Sequence, residues 1–451
     1  MTTPQLTKPI LRSDDSANMN GLDKGRLDIQ LSNIDLLSKQ LREGKFDSFR
    51  ETISNIPPEL LDIDLPDRHG RYLIFMACSL NHIPTVKILM EHNCTLSVHQ
   101  LNKTVLEVVL QSGYHELLDL LLKYDKKTLG HSVVNIVGEN APLHIALHYG
   151  EADVVQKLLH HGADPWLMTV GKIKTSKGDI VEYVETCAWA VGNLEDPQLL
   201  KLIIESLDDL NRHTTFGITL LLVAAINNKT LAVKILLEHG ADPNKPNQSN
   251  YSPLQHAIES ENKEMVELLL SYGSDPNHQN SVGNTPFHVA VISRNMTAVR
   301  AILDAYPLAG PETSCTMDRP HTTGRELQCN ICNYRGYTPL AMLLRVYGRF
   351  AIQVTRQMLP YTSPNLQSSN RNTILHYISR LDIWDQLEDI LITMPLNIHV
   401  ENSKGETPLS LAMNRELVLR ITSQSYYYQL VQAPGRWLEE WQLSCSLGLY
   451  V

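Results

Sequence analysis

Apolar positions in the middle of the chain recur at helical spacing, in blocks that repeat every 33 residues. Leu254 and Ala257 lie three apart in one such block, and the apolar residues that follow describe a second short helix with one buried face. Thr219, Ser252 and Thr285 open three successive blocks. A hydroxyl suits a helix start, because it accepts a hydrogen bond from a free backbone N–H group of the first turn. The pattern predicts stacked helix pairs, since one pair cannot bury its apolar face alone.

The three blocks share more than their spacing. They read GITLLLVAAINNKTLAVKILLEHGADPN from Gly217, YSPLQHAIESENKEMVELLLSYGSDPN from Tyr251 and GNTPFHVAVISRNMTAVRAIL from Gly283. The period, the Thr-Pro-Leu-His-x-Ala signature and the closing Gly-x-Asp-Pro-Asn are those of ankyrin repeats, so the chain resembles the ankyrin-repeat family. Weaker copies extend the register to both sides, and we count about ten. The resemblance implies an all-α fold, an ankyrin-repeat solenoid of stacked helix-turn-helix units with connecting β-hairpin loops.

The predicted organisation has four parts. Residues 1–27 are polar and predict a flexible tail, and residues 28–66 predict a diverged N-terminal capping repeat. Residues 67–415 hold about ten ankyrin repeats, and residues 416–451 form a C-terminal tail that either caps the last repeat or docks independently as a helix. Intervals longer than 33 residues between helix starts predict insertions near 125–140, 165–185 and 307–335.

Composition and charge narrow the class of partner. Apolar residues make up 43% of the chain and charged residues 20%, as in folded proteins. The formal charge of -10 lacks the basic field of a nucleic-acid binder, so we expect a protein partner and no nucleic acid. Seven scattered cysteines form no disulfide framework, and no apolar run approaches the roughly 20 residues that span a membrane. We therefore expect an intracellular monomer, in the cytoplasm or the nucleus.

Motifs for catalysis are missing from the sequence. It contains no phosphate-binding loop, no dinucleotide fingerprint and no nucleophile elbow, so we expect neither an enzyme nor an organic cofactor. His144 and His148 have the spacing of a helical zinc pair, but Ile145 stands where a zinc peptidase has glutamate. The resemblance implies that His144, His288 and His376, which occupy the signature position, are structural hydrogen-bonding residues.

One set of side chains is a candidate metal site. Cys315, His321, Cys329 and Cys332 lie in or beside the 307–335 insertion, and three thiolates with one imidazole form a closed zinc site. Such a site would brace the loop without activating water. A loop without metal is the alternative.

The resemblance also implies where a partner binds. Ankyrin proteins use hairpin tips and the exposed, concave face of their first helices, and aromatic and arginine side chains dominate binding hot spots. The candidates at the tips are Arg68, His69, Arg71, Phe216, Tyr251, Tyr334, Arg335 and Tyr337. The candidates on the first helices are His148, Tyr149, Arg345 and Arg380.

The predicted function is a non-catalytic scaffold or adaptor that recognises a protein. One alternative is the substrate-recognition subunit of a ubiquitin ligase, although the C-terminal segment lacks the leucine-cysteine and Leu-Pro-x-Pro elements of a SOCS box. Another is a transcription regulator resembling the inhibitors of NF-kappaB. Their Asp-Ser-Gly-x-x-Ser phosphodegron is absent, because residues 13–16 read Ser-Asp-Asp-Ser.

Overall fold

Helix pairs make up most of the protein. The computed structural model describes residues 21–128, 133–136, 138, 140–174, 180–308 and 326–432, and they divide into two compact units that meet in sequence between Leu210 and Asn211. Within each unit, first helices pack beside first helices of the neighbouring pairs. The structure therefore confirms the all-α fold and its stacked helix-turn-helix units.

The unit that ends at Leu210, unit 1, contains five helix pairs among its described residues. Two short hairpins connect some of them. The helices are α1 Gly21–Arg42, α2 Phe46–Asn55, α3 Leu73–Ser79, α4 Ile83–Glu91, α5 Val105–Gln111, α6 His115–Thr128, α7 Pro142–Tyr149, α8 Ala152–His160, α9 Thr186–Asn193 and α10 Pro197–Glu205. The strands are β1 His99–Gln100, β2 Lys103–Thr104, β3 Met168–Lys174 and β4 Ile180–Glu185, paired β1 with β2 and β3 with β4, both antiparallel.

The unit that begins at Asn211, unit 2, contains six helix pairs among its described residues. Its last pair is uneven, because a four-residue first helix precedes an 18-residue second helix. The helices are α11 Leu220–Ile226, α12 Thr230–Glu238, α13 Pro253–Glu259, α14 Lys263–Ser271, α15 Pro286–Ile292, α16 Met296–Ala305, α17 Pro339–Tyr347, α18 Ile352–Met358, α19 Ile374–Leu381, α20 Glu388–Leu391, α21 Pro408–Leu411 and α22 Arg415–Gln432.

Hydroxyl caps set the start of the first helices, as the register predicts. Thr219, Ser252, Thr285 and Thr338 each accept a hydrogen bond from the backbone N–H of the third helical residue. The cap fixes the point at which the chain turns from the connector into the helix. The apolar residues that follow, such as Leu254, are fully buried between neighbouring pairs.

Asparagine side chains shape the connectors of unit 2. Asn247, Asn280, Asn333 and Asn402 each stand five residues before a cap, and each side-chain oxygen accepts from the backbone N–H groups two and four residues later. These turns replace a regular strand ladder. Among the described residues of unit 2, the β-type pairings are single bridges, so the predicted hairpins are mostly turns there.

Both ends of the repeat array differ from the predicted boundaries. Helix α1 begins at Gly21, so the last residues of the segment predicted as a flexible tail are helical. Leucine and isoleucine residues of α1 are buried against the following pair, and that packing holds a helix which carries no signature. At the other end, α22 packs on α20 and α21 and buries Val418 and Ile421. Trp437 and Trp441 lie outside the described residues.

The insertions leave the helix pairs intact. The insertion near 125–140 extends α6 to Thr128, and the one near 165–185 forms the β3–β4 hairpin, which packs on α9. Most of the third insertion lies outside the described residues. Its flanks are joined, since Leu308 and Leu327 form a β-bridge and the Leu327 N–H donates to the Pro307 carbonyl at 2.8 Å. The chain therefore leaves and re-enters the stack at nearly the same point.

Candidate protein-binding surface

The third residue of several first helices ties one repeat to the next. The N–H of Thr285 donates to Nδ1 of His288 at 3.2 Å, and Nε2 of the same ring bonds to the Tyr337 carbonyl of the next repeat at 2.8 Å. His376 makes the equivalent pair of contacts, to Thr373 and Glu406. These two signature histidines are structural hydrogen-bonding residues, and they hold the connectors in fixed register.

His144 occupies the same position but lacks the cap contact. Ala141 stands at its cap position and offers no hydroxyl, and His144 Nδ1 has no hydrogen-bond partner among the described residues. Burial, and then the neighbouring His148, lowers the pKa of His144 to about 4. The ring packs edge-on against Trp189, with centroids 4.3 Å apart. The candidates His148 and Tyr149 lie beside it and are exposed, so this edge of unit 1 carries an aromatic cluster.

Backbone hydrogen bonds join neighbouring connector tips in unit 2. The Ser281 N–H donates to Ser249, the Tyr334 N–H to Val282, the Ser369 N–H to Arg335 and the Ser403 N–H to Asn370, at 3.0 to 3.2 Å. We call these connected turns the tip row. Within the row, the backbone of Tyr334 lies so close to Gly283 that a Cβ there would be 2.7 Å from its nitrogen. The tips form a continuous ledge rather than independent loops.

Two tip candidates face solvent on this ledge. Tyr334 is 64% exposed, and Arg335 is also exposed. Neither side chain makes a hydrogen bond or ion pair within the described residues. They are free to contact a partner.

Tyr337 is a correction to the tip assignment, because only 4% of it is exposed. It directly precedes the cap Thr338, where the chain turns inward under the following connector. Its hydroxyl accepts from the Asn370 side chain at 3.3 Å. Arg71 and Tyr251, which directly precede the first helix or its cap in their own repeats, are half-buried and engaged with Asp67 and Glu259. The position immediately before the cap therefore supports the frame.

The remaining tip candidates stand on other connectors than Tyr334 and Arg335. Arg68 and His69 are exposed in unit 1, and Arg68 forms an ion pair with Asp35 at 2.8 Å. Phe216 is half-buried at the first connector of unit 2. The predicted tip residues are thus distributed over connectors of both units.

The first-helix candidates of unit 2 line up across neighbouring repeats. Glu259, Ile292, Arg345 and Arg380 stand seven residues after their caps, on α13, α15, α17 and α19, and all are exposed. We call these four residues the first-helix row. Consecutive helices of this series pack directly on one another. Chemical character changes along the row, from acidic to apolar to basic.

Two buried tyrosines, Tyr337 and Tyr377, lie close to the arginines of the row. The guanidinium carbon of Arg345 lies 5.0 Å from the centroid of the Tyr337 ring, a cation–π contact. Burial, and then the neighbouring Tyr337, raises the pKa of Tyr377 to about 12, so this tyrosine stays neutral. Arg380 is held by Glu406 at 2.6 Å. The two arginines are thus positioned by the residues around them.

The candidate zinc residues are only partly within the described chain. Cys315 and His321 lie outside it. Cys329 is 1% exposed and occupies the place that proline has in the Asp-Pro-Asn ends of other repeats, and burial raises the pKa of its thiol to about 12. The part of the chain that the structure describes contains no group of three or more His, Cys, Asp or Glu side chains placed to hold a metal.

Several residues that support the surface by linking one repeat to the next were not predicted from the sequence. Glu107 and Gln255 occupy the signature histidine position and make the same kind of link to the next repeat. The asparagines five residues before the caps were also overlooked. Their constant offset from the Ser or Thr cap is the signal that would have identified them.

Comparisons with known proteins agree with this frame. A family model described as three copies of ankyrin repeats matches residues 187–280, and a single ankyrin repeat matches residues 139–169. The putative ankyrin repeat protein L371 of Acanthamoeba polyphaga mimivirus is 27% identical over 416 residues, 90% of this chain and 53% of that protein. The putative ankyrin repeat protein FPV022 of Fowlpox virus (strain NVSL) is 27% identical over 191 residues, 39% of this chain and 32% of that protein. The chain thus spans about half the length of the first relative and a third of the second.

A solved structure is similar as well. The crystal structure of the ankyrin repeat domain of Bcl-3, described as a unique member of the IkappaB protein family, covers 60% of this chain at a TM-score of 0.36 and 21% identity, with 94% of that domain matched. Within the part of the chain that is described, no helix is both long and apolar enough to cross a bilayer. Ankyrin repeats are protein-binding modules. The capped helix pairs and the signature-position links agree with these matches, so the chain contains ankyrin repeats at residues 139–169 and 187–280 and is similar to an ankyrin repeat protein over most of its length.

Proposed function

We propose that this protein is a non-catalytic scaffold or adaptor that holds a partner protein against the tip row and the first-helix row of unit 2. The observation that carries the proposal is the placement of Tyr334, Arg335 and Arg345. All three are exposed, and the backbone of Tyr334 and Arg335 is hydrogen-bonded to neighbouring repeats. Arg345 stands on α17, and the connector that leads into this helix is bonded to His288. A preorganised surface of this kind loses little conformational entropy on binding.

The residue types also favour protein recognition. Tyrosine and arginine are enriched in binding hot spots, because each buries a large area and still offers hydrogen bonds. Arg345 has an aromatic ring beneath its guanidinium, which limits its freedom before a partner arrives. The buried Tyr337, although not a contact residue, supports the surface from below.

Proximity labelling in cells tests the proposal. The intact protein is compared with a variant that carries Tyr334→Ala, Arg335→Ala and Arg345→Ala. The matched control carries Tyr272→Ala and Arg300→Ala, which remove an exposed tyrosine and an exposed arginine from the second-helix side of the same unit. Circular dichroism melting of each purified chain checks that the fold is retained.

We expect the first variant to lose a discrete set of labelled proteins that the control retains. Equal loss in both variants, or no loss in either, would overturn the assignment of this surface. The identities of the labelled proteins also separate the more specific roles. Elongins or a cullin among them would indicate a ubiquitin-ligase subunit, and NF-kappaB subunits would indicate an inhibitor of that transcription factor.

A further inference from the structure

The first-helix row of unit 2 has a regular spacing that a partner would have to match. Ile292, Arg345 and Arg380 stand at equivalent positions on α15, α17 and α19, and α17 packs directly on both neighbours. Packed helices have axes about 8–10 Å apart. Equivalent side chains on adjacent first helices are therefore separated by about the same distance.

The basic end of the row is electrically unbalanced. Arg345 has no ion-pair partner within 4.0 Å among the described residues. Arg380 is paired with Glu406 through one amino group and keeps its other donors. Arg345 is therefore an exposed guanidinium without a carboxylate partner on the surface where a partner is proposed to bind.

We propose that the first-helix row binds an extended acidic segment of a partner protein, with one apolar side chain on Ile292 and carboxylates on Arg345 and Arg380. This inference rests on the proposed function and names the chemistry of the partner. An extended chain in the polyproline II conformation advances about 3.1 Å per residue with three residues per turn, so residues three apart lie on one face and cover the step between adjacent first helices. The expected pattern is an apolar residue followed, or preceded, by acidic residues at intervals of three.

The arrangement of Arg345 favours a carboxylate in particular. One face of its guanidinium lies over the Tyr337 ring, while the edge that carries the N–H donors remains available. That edge matches the two oxygens of a carboxylate. Phosphate would satisfy the same edge, but the row also contains the apolar Ile292 and the acidic Glu259, which oppose a nucleic-acid backbone with its regular negative charges.

A displayed library of random twelve-residue peptides tests the proposal. The library is selected on the full-length protein and, in parallel, on a variant with Arg345→Gln and Arg380→Gln. Peptides enriched only on the intact protein are sequenced, and the strongest is synthesised with a fluorescent label. Its affinity is then measured by fluorescence polarisation for both proteins and for Arg300→Gln, a control that removes one exposed arginine from α16.

We expect the enriched peptides to carry acidic residues three apart, with an apolar residue three positions beyond. Removal of each arginine should weaken binding about fivefold, the upper range for an exposed ion pair, and Arg300→Gln should have no effect. Moving one acidic residue by a single position should weaken the peptide, and added salt should weaken every acidic peptide.

Other results would overturn the inference. Enriched peptides without acidic residues, enrichment that does not depend on the two arginines, or acidic residues without regular spacing would each contradict it. Displacement of the peptide by a single-stranded thymidine oligonucleotide at comparable concentration would assign the row to nucleic acid instead. If the variant with Tyr334→Ala, Arg335→Ala and Arg345→Ala loses labelled partners while the peptides fail these criteria, the proposed function stands and this inference alone is wrong.

Discussion

Side chains of three chemical types link a cap to the following repeat from the same helix position. Glu107, Gln255, His288 and His376 each bond to the backbone at their own cap and at the residue before the next cap. The link requires two polar atoms on the group that ends the side chain, and imidazole, amide and carboxylate all provide them. Any of these residue types can form the link, but the residue type decides how the stability of the link depends on pH.

His288 is the case in which that dependence can be measured. Burial lowers its pKa to about 4, below the ordinary value of 6.5. The folded state therefore favours the neutral ring, and its stabilisation is complete above pH 6.5 and declines as the pH falls toward 4. We expect His288→Gln to keep most of the stability at pH 7.5, because Gln255 makes equivalent bonds one repeat earlier.

Urea denaturation at pH 7.5 and pH 4.5 provides the measurement. Between these two values the wild-type chain should lose about 3 kcal/mol more unfolding free energy than His288→Gln, because the ring in the folded protein resists protonation over about two pH units at about 1.4 kcal/mol each. His144 and His256 also have pKa values lowered to about 4 by burial, so the variant should still lose some stability. An identical pH dependence in both proteins would contradict this account.

For single residues, the sequence predicts a structural role better than it predicts the exposure of the side chain. The structural role of His288 and His376 follows from the signature, and the structure confirms it. Tyr337 was assigned to a tip because it precedes a Thr-Pro pair, yet it is buried. Whether such a residue is covered depends on the neighbouring connector, which is distant in sequence, so spacing within one repeat cannot decide it.

The tip row is the element on which the proposed surface depends. Gly283 has a φ of +76° in its turn, and an added Cβ would lie 2.7 Å from the Tyr334 nitrogen and from its ring. Gly273 has a similar φ of +81°, with no atom within 4 Å of the added carbon. Substitutions at these two glycines therefore distinguish the cost of the backbone conformation from the cost of the contact between tips.

We expect Gly283→Ala to destabilise the protein more than Gly273→Ala. Both substitutions carry the cost of a left-handed conformation, about 1 kcal/mol, and only Gly283→Ala must also displace Tyr334. Urea midpoints of the two variants give the comparison. Equal destabilisation would mean that the contact with Tyr334 is easily relieved.

The joined flanks of the third insertion make a second prediction about an element. Because Leu308 and Leu327 are bridged, residues 309–325 can be replaced by an eight-residue Gly-Ser linker without parting the helix pairs. Halving a loop changes its closure entropy by only about 0.6 kcal/mol. We expect the melting temperature to change by no more than about 2 °C.

The same replacement removes Cys315 and His321 and so tests the zinc hypothesis. Because the Cys329 side chain is buried at the place that proline has in other repeats, we expect no stoichiometric zinc in either protein. Zinc near one equivalent in the full chain, absent after the replacement and accompanied by a large fall in melting temperature, would contradict both expectations. Metal content by mass spectrometry and a thermal scan of each protein are sufficient.

The helices that carry the repeat signature were predicted most accurately from the sequence. The register of Thr219, Ser252 and Thr285 places α11, α13 and α15 correctly, because each start carries a cap and a following apolar stripe. Helix α1 has no signature, so its start at Gly21 was placed too late. The 165–185 insertion was located at a connector, where the resemblance implies a β-hairpin, and β3 and β4 form one. The bounds of these strands were not predicted, because they depend on packing against α9.

At the scale of the whole molecule, the net charge does not show how charged side chains are distributed over the surface. The formal charge of -10 argues against a general electrostatic attraction to nucleic acid, and it says nothing about one row of side chains. Arg345 and Arg380 lie on adjacent helices although they are 35 residues apart in the sequence. The two arginines become neighbours only when the repeats stack, so the sequence alone predicts them as separate candidates.

The division into two compact units leads to the last prediction. Each pair in a repeat protein contacts mainly its neighbours, so a block of several pairs can fold without the rest. Unit 2 contains six described pairs together with the tip row and the basic end of the first-helix row. We expect a fragment of residues 211–451 to melt cooperatively and to bind the selected acidic peptide within about twofold of the full-length chain, because the contacts proposed for that peptide all lie inside it. A fragment of residues 1–210 is the matched control and should not bind. If the 211–451 fragment folds but binds tenfold more weakly, residues of unit 1 contribute to the site, and the surface proposed for the partner is incomplete.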